Sequence, residues 1–174
     1  MTKRPAEPRW LSRVVVDAIH TEQLREHGGL SGVRDETALE SALARPRQKW
    51  HYAEKVDVAL LAAAYGFGLV KNHPYRDGNK RIGFLTIVTF VGINGHDLDA
   101  TDAEVISEML ALADGRVSEE ELADWIRQHS TKRQRACARA RIVRLPVLSN
   151  DNGSRTQAPN GTRPPCPRRC LGSS

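Results

Sequence analysis

Apolar positions recur at a helical spacing along most of the first 130 residues. Intervals of three and four residues predict a first helix over residues 12–26. Two longer runs, 56–70 and 82–93, are apolar almost all the way round, and their length favours buried helices over strands. Gly66 and Gly68 weaken the first of these helices but allow a neighbour to approach it closely. The pattern therefore places two core helices in the middle of the chain.

The segment before the first core helix is less regular. Asp35 is a suitable N-cap for a short helix over residues 36–44, which Pro46 is expected to stop. Residues 46–54 lack helical periodicity, so we predict a loop or short hairpin there. This small flap would precede the central helix, where its side chains could cover a bound ligand or have no role.

Two capping boxes predict the last helices. Thr101 is followed three residues later by Glu104, and Ser118 is followed in the same way by Glu121. An apolar stripe follows each box, and no segment of residues 1–130 alternates over five or more positions. We therefore predict an all-α bundle of about six helices.

The charge of the chain changes abruptly after residue 130. Residues 1–130 carry 16 Lys and Arg against 20 Asp and Glu, a net charge of −4, whereas residues 131–174 carry 10 against 1, a net charge of +9; together these give the overall +5. The basic character thus belongs to the C-terminal segment. A basic surface for nucleic acid is not predicted for the remainder, although the C-terminal segment could bind it.

This change in composition suggests three parts. We expect a flexible arm over residues 1–11, a domain over residues 12–130 and a basic, disordered tail over residues 131–174. All three cysteines lie in the tail, so they provide no disulfide framework for the domain. The apolar runs fall short of the roughly 20 residues that span a bilayer. We expect a soluble, cytoplasmic protein.

A strongly polar loop, residues 71–81, separates the two core helices, and such a conflict with the surroundings often marks a functional site. His73 can act as a general base near neutral pH. Asp77 supplies a hard carboxylate oxygen, which suits Mg²⁺. The other histidines, including His20, are expected on the surface.

The second half of the loop suits an anion. Gly78 and Asn79 tolerate the backbone conformations of an anion-binding nest. Lys80 and Arg81 can neutralise phosphate charge, and the helix that begins near them adds peptide N–H groups and a favourable dipole. A base, a metal ligand, a nest and two cations within nine residues indicate phosphoryl-group chemistry.

The run His73-Pro-Tyr-Arg-Asp-Gly-Asn-Lys-Arg81 resembles the signature of the Fic/Doc family, which reads His-x-Phe-x-(Asp/Asn)-Gly-Asn-Lys-Arg in the Doc branch. Tyr75 stands where Phe is usual, a change that keeps an aromatic anchor. Residues 28–35 and 39–46 also look like the upstream segments of Doc-type proteins. The resemblance covers roughly residues 12–129 and implies a Fic-fold helical bundle.

The Doc-type (death-on-curing) resemblance implies a toxin that transfers the γ-phosphate of ATP to a Thr or Ser hydroxyl of a translation factor such as elongation factor Tu, halting translation. It also implies a Phd-like antitoxin as partner. In such a mechanism His73 would take the proton of the acceptor hydroxyl, and Asp77, helped by Asn79, would hold Mg²⁺. The implied catalytic residues are His73, Lys80 and Arg81, and the phosphate would be bound by Gly78, Asn79, Lys80 and Arg81.

Two other functions stay open. AMP-transferring Fic enzymes typically read Gly-Asn-Gly-Arg-x-x-Arg, whereas here Lys80 replaces the second glycine and Phe84 replaces the final arginine. Both differences argue against nucleotidyl transfer. The third possibility is an inactive binding module that uses the basic tail on nucleic acid, and the complete loop argues against it.

Overall fold

The structure is a computed structural model that describes residues 6–133, and it is mostly helical. The predicted all-α bundle of six helices is confirmed for this part of the chain. The helices are α1 (Arg13–His27), α2 (Glu36–Tyr52), α3 (Val58–Asn72), α4 (Asn79–Ile93), α5 (Asp102–Ala113) and α6 (Glu119–His129). Two strands that the periodicity did not predict, β1 (His96–Leu98) and β2 (Ser130–Lys132), pair antiparallel.

The centre of the bundle is α3, which packs against α2, α4 and α6. Glycines let α3 and α4 approach closely: a Cβ on Gly66 would lie 2.4 Å from Cδ1 of Ile87, and one on Gly83 would lie 2.6 Å from Cγ2 of Val70. The close approach predicted at Gly66 is thereby confirmed. Because α3 and α4 are tightly packed, the loop that joins them rests on a rigid base.

The prediction of a loop over residues 46–54 is wrong for residues 46–52, which continue α2. Pro46 lies inside this helix, although it cannot donate the hydrogen bond to the preceding turn. Tertiary contacts outweigh this loss, because Trp50 is buried and Lys49 lies 3.2 Å from the buried carboxylate of Glu119 on α6. The loop before α3 is therefore short, and it lies at the end of α3 opposite to the polar loop.

Both ends of the described chain pack against the rest of the fold. Leu11 is buried, and Arg9 exchanges backbone hydrogen bonds with the side chain of Asn94. Thr131 and Lys132, which the sequence assigned to the tail, pair with β1. The division into arm, domain and tail otherwise stays a prediction, since residues 1–5 and 134–174 lie outside the described part. Across residues 6–133, no helix is long and apolar enough to cross a membrane.

Three of the six helices begin at the predicted caps. Asp35 accepts a hydrogen bond from the N–H of Ala38, as expected for an N-cap. The capping boxes at Thr101 and Ser118 are both complete. Asp57 is a further N-cap, since it accepts from the N–H of Leu60 at 2.7 Å. Local side-chain chemistry thus fixes where four of these helices begin.

Candidate active site

His73 lies where α3 ends. It adopts a left-handed conformation, with φ 45° and ψ 53°, and it is the one non-glycine residue with positive φ within residues 6–133. Such a conformation costs energy in a non-glycine residue and often occurs at functional sites. Pro74 follows directly and disfavours continuation of the helix. The chain therefore leaves α3 sharply, with the imidazole of His73 exposed.

Asn79 closes the loop upon itself. Its Oδ1 accepts from the N–H of Tyr75 at 2.9 Å, and its Nδ2 donates to the carbonyl of Tyr75 at 2.8 Å. The residue is buried, so this pair of bonds forms away from water. Because its amide is used in this way, Asn79 shapes the loop. The prediction that it also binds a metal ion remains a proposal, and this geometry argues against it.

Asp77 presents its carboxylate beside the start of α4. Its Oδ1 accepts from the N–H of Gly78 at 2.6 Å, and the residue is half-buried. Its Oδ2 lies against Gly29, where a Cβ would come within 2.6 Å of that oxygen. The absence of a side chain at Gly29 therefore makes room for the carboxylate.

The N-terminus of α4 holds the residues that were predicted to bind an anion. Gly78 has φ 74°, as a nest requires, and it caps the helix. Arg81 is 4% exposed, and its Nη2 lies 3.7 Å from where a Cβ on Gly78 would stand. Lys80 is half-buried on the same first turn. Phe84 is buried in the core, so this position offers the site no charge.

A second segment covers the loop from the side. Val33 forms an antiparallel bridge with Tyr75, and the N–H of Arg34 donates to the carbonyl of Pro74 at 2.6 Å. The guanidinium of Arg34 reaches the carbonyl of Asn72 at 3.4 Å, at the end of α3. The segment that lies against the loop is thus the one after α1, and not the predicted flap at 46–54.

Cations surround His73. Partial removal of water from its imidazole lowers the pKa of His73, and the positive charges of Arg34, Lys71 and Lys80 lower it further. A histidine with a lowered pKa is neutral at physiological pH and can accept a proton. The same charges favour an anion in front of the imidazole.

Helix α1 supplies two residues that sequence reasoning missed. His20 is 5% exposed, so its expected surface position is wrong; its ring stacks on that of Tyr75 with centroids 4.0 Å apart. The hydroxyl of Tyr75 donates to Asp17 at 2.6 Å, and burial together with this bond raises the pKa of Tyr75. A usable signal existed, because His20 follows the buried Val16 by four residues and so shares its face of α1.

The structure brings the predicted site residues together at one end of the α3–α4 pair. His73, Asp77, Gly78, Lys80 and Arg81 lie in or next to one loop, whereas Asn79 is turned into it. Residues 6–133 contain no cluster of three or more His, Cys, Asp or Glu side chains that could hold a metal ion. Mg²⁺ does not need such a cluster, since one or two carboxylates with substrate phosphates commonly bind it.

Comparison with known proteins finds similarity over the residues that form this loop. The model of the Fic/DOC family matches residues 10–91, which include the whole loop and the segments around it. The chain is also 26% identical over 121 residues to the protein named "Protein kinase doc" of Escherichia phage P1, covering 69% of this chain and 94% of the phage protein. Over residues 10–91 the chain is thus similar to the Fic/DOC family, and the phage relative agrees with a Doc-like transferase.

Proposed function

We propose that the protein is a Doc-like toxin that transfers the γ-phosphate of ATP to a Thr or Ser hydroxyl of a translation factor resembling elongation factor Tu, and so halts translation. One observation carries this proposal: an exposed imidazole with a lowered pKa shares a loop with a carboxylate and a cationic helix N-terminus. The name of the phage relative supports the choice of a protein kinase within the family.

In the proposed reaction the neutral imidazole of His73 takes the proton of the acceptor hydroxyl. The hydroxyl oxygen then bonds to the γ-phosphorus as the bond from that phosphorus to the bridging oxygen breaks, and ADP leaves. Lys80, Arg81 and the backbone N–H groups at the start of α4 stabilise the negative charge on the phosphates. A general base of this kind contributes about 100- to 10,000-fold to the rate.

Asp77 fits the role of Mg²⁺ ligand. Its carboxylate has lone pairs beyond the one that accepts from Gly78, and Gly29 leaves space beside it. One carboxylate together with ATP oxygens is a common donor set for this ion. When bound, Mg²⁺ would neutralise phosphate charge, and Asp77 would hold it beside the helix N-terminus.

Nucleotidyl transfer is the main competing activity. The AMP-transferring pattern requires a second arginine on the first turns of the helix, and Phe84 is buried at that position. The side chain of Lys80 also stands where that pattern has glycine. A phosphate chain bound through a second arginine therefore has no counterpart at this position, which favours γ-phosphate transfer.

The proposal extends to partner and location. A Phd-like antitoxin is expected to bind the protein and suppress its activity, since an unrestrained translation inhibitor would harm its own cell. A translation factor is a cytoplasmic target, so the site of action is proposed to be the cytoplasm.

The test is a mass-spectrometric assay of purified elongation factor Tu with ATP and Mg²⁺. Wild type is compared with His73→Ala and with the control His51→Ala, which removes an exposed histidine from the last turn of α2. We expect a gain of about 80 Da, one phosphate, on a Thr or Ser with wild type and with the control, but not with His73→Ala.

Other outcomes would redirect the proposal. A gain of about 329 Da, one AMP, would establish nucleotidyl transfer and refute the argument from Lys80 and Phe84. Equal modification by wild type and His73→Ala would remove His73 from the reaction. No modification of elongation factor Tu, combined with a His73-dependent gain on another protein in lysate, would overturn the acceptor alone.

A further inference from the structure

His20 occupies an unusual place for a polar side chain. It lies on the buried face of α1 with Val16 and Gln23, and it is 5% exposed. A buried histidine is costly unless its ring nitrogens or its ring face find partners. Here the ring stacks on Tyr75 of the loop, with an interplanar angle of 22°. The side chain is therefore packed directly against the active-site loop.

The hydrogen bond of His20 has a defined direction. Its Nε2 lies 3.0 Å from the backbone carbonyl of Asp77, which can only accept. Nε2 must therefore carry a proton and donate. The ring also runs alongside Gly78, where a Cβ would lie 3.9 Å from Cδ2 of His20. Two consecutive residues of the loop are thus in reach of one side chain of α1.

Peptide geometry carries this contact into the site. In a planar trans peptide the C=O and the N–H point in opposite directions. Because His20 binds the carbonyl of Asp77, the N–H of Gly78 points to the opposite side of the same peptide plane. That N–H binds Oδ1 of Asp77 at 2.6 Å. The orientation of one peptide plane thus helps to set the direction of the Asp77 carboxylate.

We propose that His20 is a positioning residue, which donates from Nε2 to the carbonyl of Asp77 and so holds the peptide whose N–H binds the Asp77 carboxylate, keeping that carboxylate in the geometry that binds the metal. This inference rests on the function proposed above for the loop. His20 does not touch the reacting atoms in this proposal; it acts through Asp77 and Gly78.

Two variants separate the hydrogen bond from the packing. His20→Phe keeps a flat ring against Tyr75 but removes the donor, whereas His20→Gln removes the ring but keeps an N–H at a similar reach. We expect His20→Phe to lower kcat about 10- to 100-fold and to raise the Mg²⁺ concentration for half-maximal activity by a similar factor. His20→Gln should recover most of both values. His27→Phe, on an exposed histidine of the same helix, is the control.

A second readout does not depend on activity. NMR of wild type should show a proton on Nε2 of His20 at neutral pH, and hydrogen exchange at the Gly78 amide should be about tenfold faster in His20→Phe. Exchange at the core amide of Ile87 should stay unchanged in the same variant. If His20 had a purely structural role, exchange would instead be faster at both amides. The folded protein would then need the same Mg²⁺ concentration for half-maximal activity as wild type.

The two proposals can fail separately. Faster exchange at Gly78 in a protein that modifies no acceptor would support the role of His20 and sink the proposed reaction. An active protein whose Mg²⁺ dependence and Gly78 exchange are the same in wild type and His20→Phe would overturn the role of His20. An Nε2 without a proton would overturn it as well.

Discussion

The charged side chains at the two ends of the α3–α4 pair have different kinds of partner. At the loop end, Arg34 and Lys71 reach the main-chain carbonyls of Asn72 and Ala113, and His73 is exposed among them. At the opposite end, Arg127 binds the carboxylates of both Asp57 and Asp124. The 15 residues of α3 separate these ends by about 22 Å. At one end cations surround an exposed imidazole, whereas at the other end a cation is paired with two carboxylates.

A pocket of about 360 Å³ lies at the far end, where it is lined mainly by apolar residues such as Trp50 and Val58, and its charged residues Asp57 and Arg127 pair with each other. The loop end instead combines a base, a carboxylate and cations. The loop end is therefore a candidate site because of its charge and chemistry, and not because of a cavity volume.

The largest effect should follow from removing the charge of Asp77. Asp77→Asn keeps the size of the side chain and an oxygen that can accept from Gly78, but it loses the negative charge that holds Mg²⁺. We expect phosphate transfer to fall by about 100-fold or more, with partial recovery at high Mg²⁺. Steady-state assays across a Mg²⁺ titration measure this. Full activity in this variant would break the assignment of the loop end as a metal-assisted site.

A substitution at Gly29 should lower activity less, because it displaces the Asp77 carboxylate but does not remove its charge. Gly29→Ala would place a Cβ 2.6 Å from Oδ2 of Asp77 at a φ of +129°, so we expect about 1–3 kcal/mol of destabilisation and roughly tenfold lower activity. Gly28→Ala is the matched control, because its φ is +71° but nothing lies within 4 Å of the new Cβ. It should be destabilised without the loss of activity. Urea denaturation and transfer assays compare the two, and equal losses of activity would contradict the contact with Asp77.

Much of the fold was predictable because its signals are local. The capping boxes at Thr101 and Ser118 consist of residues three apart, and the long apolar runs of α3 and α4 report their own burial. The site was predictable for the same reason, since His73 to Arg81 are contiguous in sequence. A loop between two core helices brings its own residues together without help from distant segments.

The errors share the opposite cause. Pro46 indicated a helix end, yet Glu119, more than 70 positions away, helps to hold the continuing helix. His20 was expected on the surface because its partner Asp77 lies 57 positions along the chain. The ligand role of Asn79 stays a proposal, but only the folded loop shows that its amide binds the backbone of Tyr75, four positions away. Tertiary contacts determine the positions of such residues, and the periodicity of the sequence does not indicate these contacts.

A change at the far end should affect stability and leave catalysis intact. Asp57→Ala loses the N-cap of α3 and the ion pair with Arg127, and we expect about 1–2 kcal/mol of destabilisation with activity within twofold of wild type. Asp57→Asn keeps the cap and should lose less. Urea denaturation and transfer assays on both variants measure this. A tenfold loss of activity in a folded variant would mean that the two ends are coupled.

The same residue gives a pH dependence. Burial raises the pKa of Asp57, but the hydrogen bonds from Arg127 and Leu60 outweigh it, and the net pKa is lowered. The stabilisation that goes with a lowered carboxyl pKa is present above the unfolded value of about 4 and is lost as the pH falls below it. The difference in stability between wild type and Asp57→Asn should therefore shrink as the pH is lowered from about 5 to 3.

The smallest expected effect concerns the positive charges around His73 and their influence on its pKa. Because removal of water and then the charge of Arg34 lower the pKa of His73, the acid limb of kcat/KM should lie below the ordinary histidine value of about 6.5. Arg34→Gln removes one cation, so the limb should move to higher pH by a few tenths of a unit, and added salt should reduce the difference. Arg25→Gln, on the outer face of α1, should leave the limb in place. The midpoint of kcat/KM against pH reports the free enzyme, so it separates this shift from any change in substrate affinity. A limb that stays in place or moves to lower pH in Arg34→Gln would show that the cations at the loop end do not set the protonation of His73.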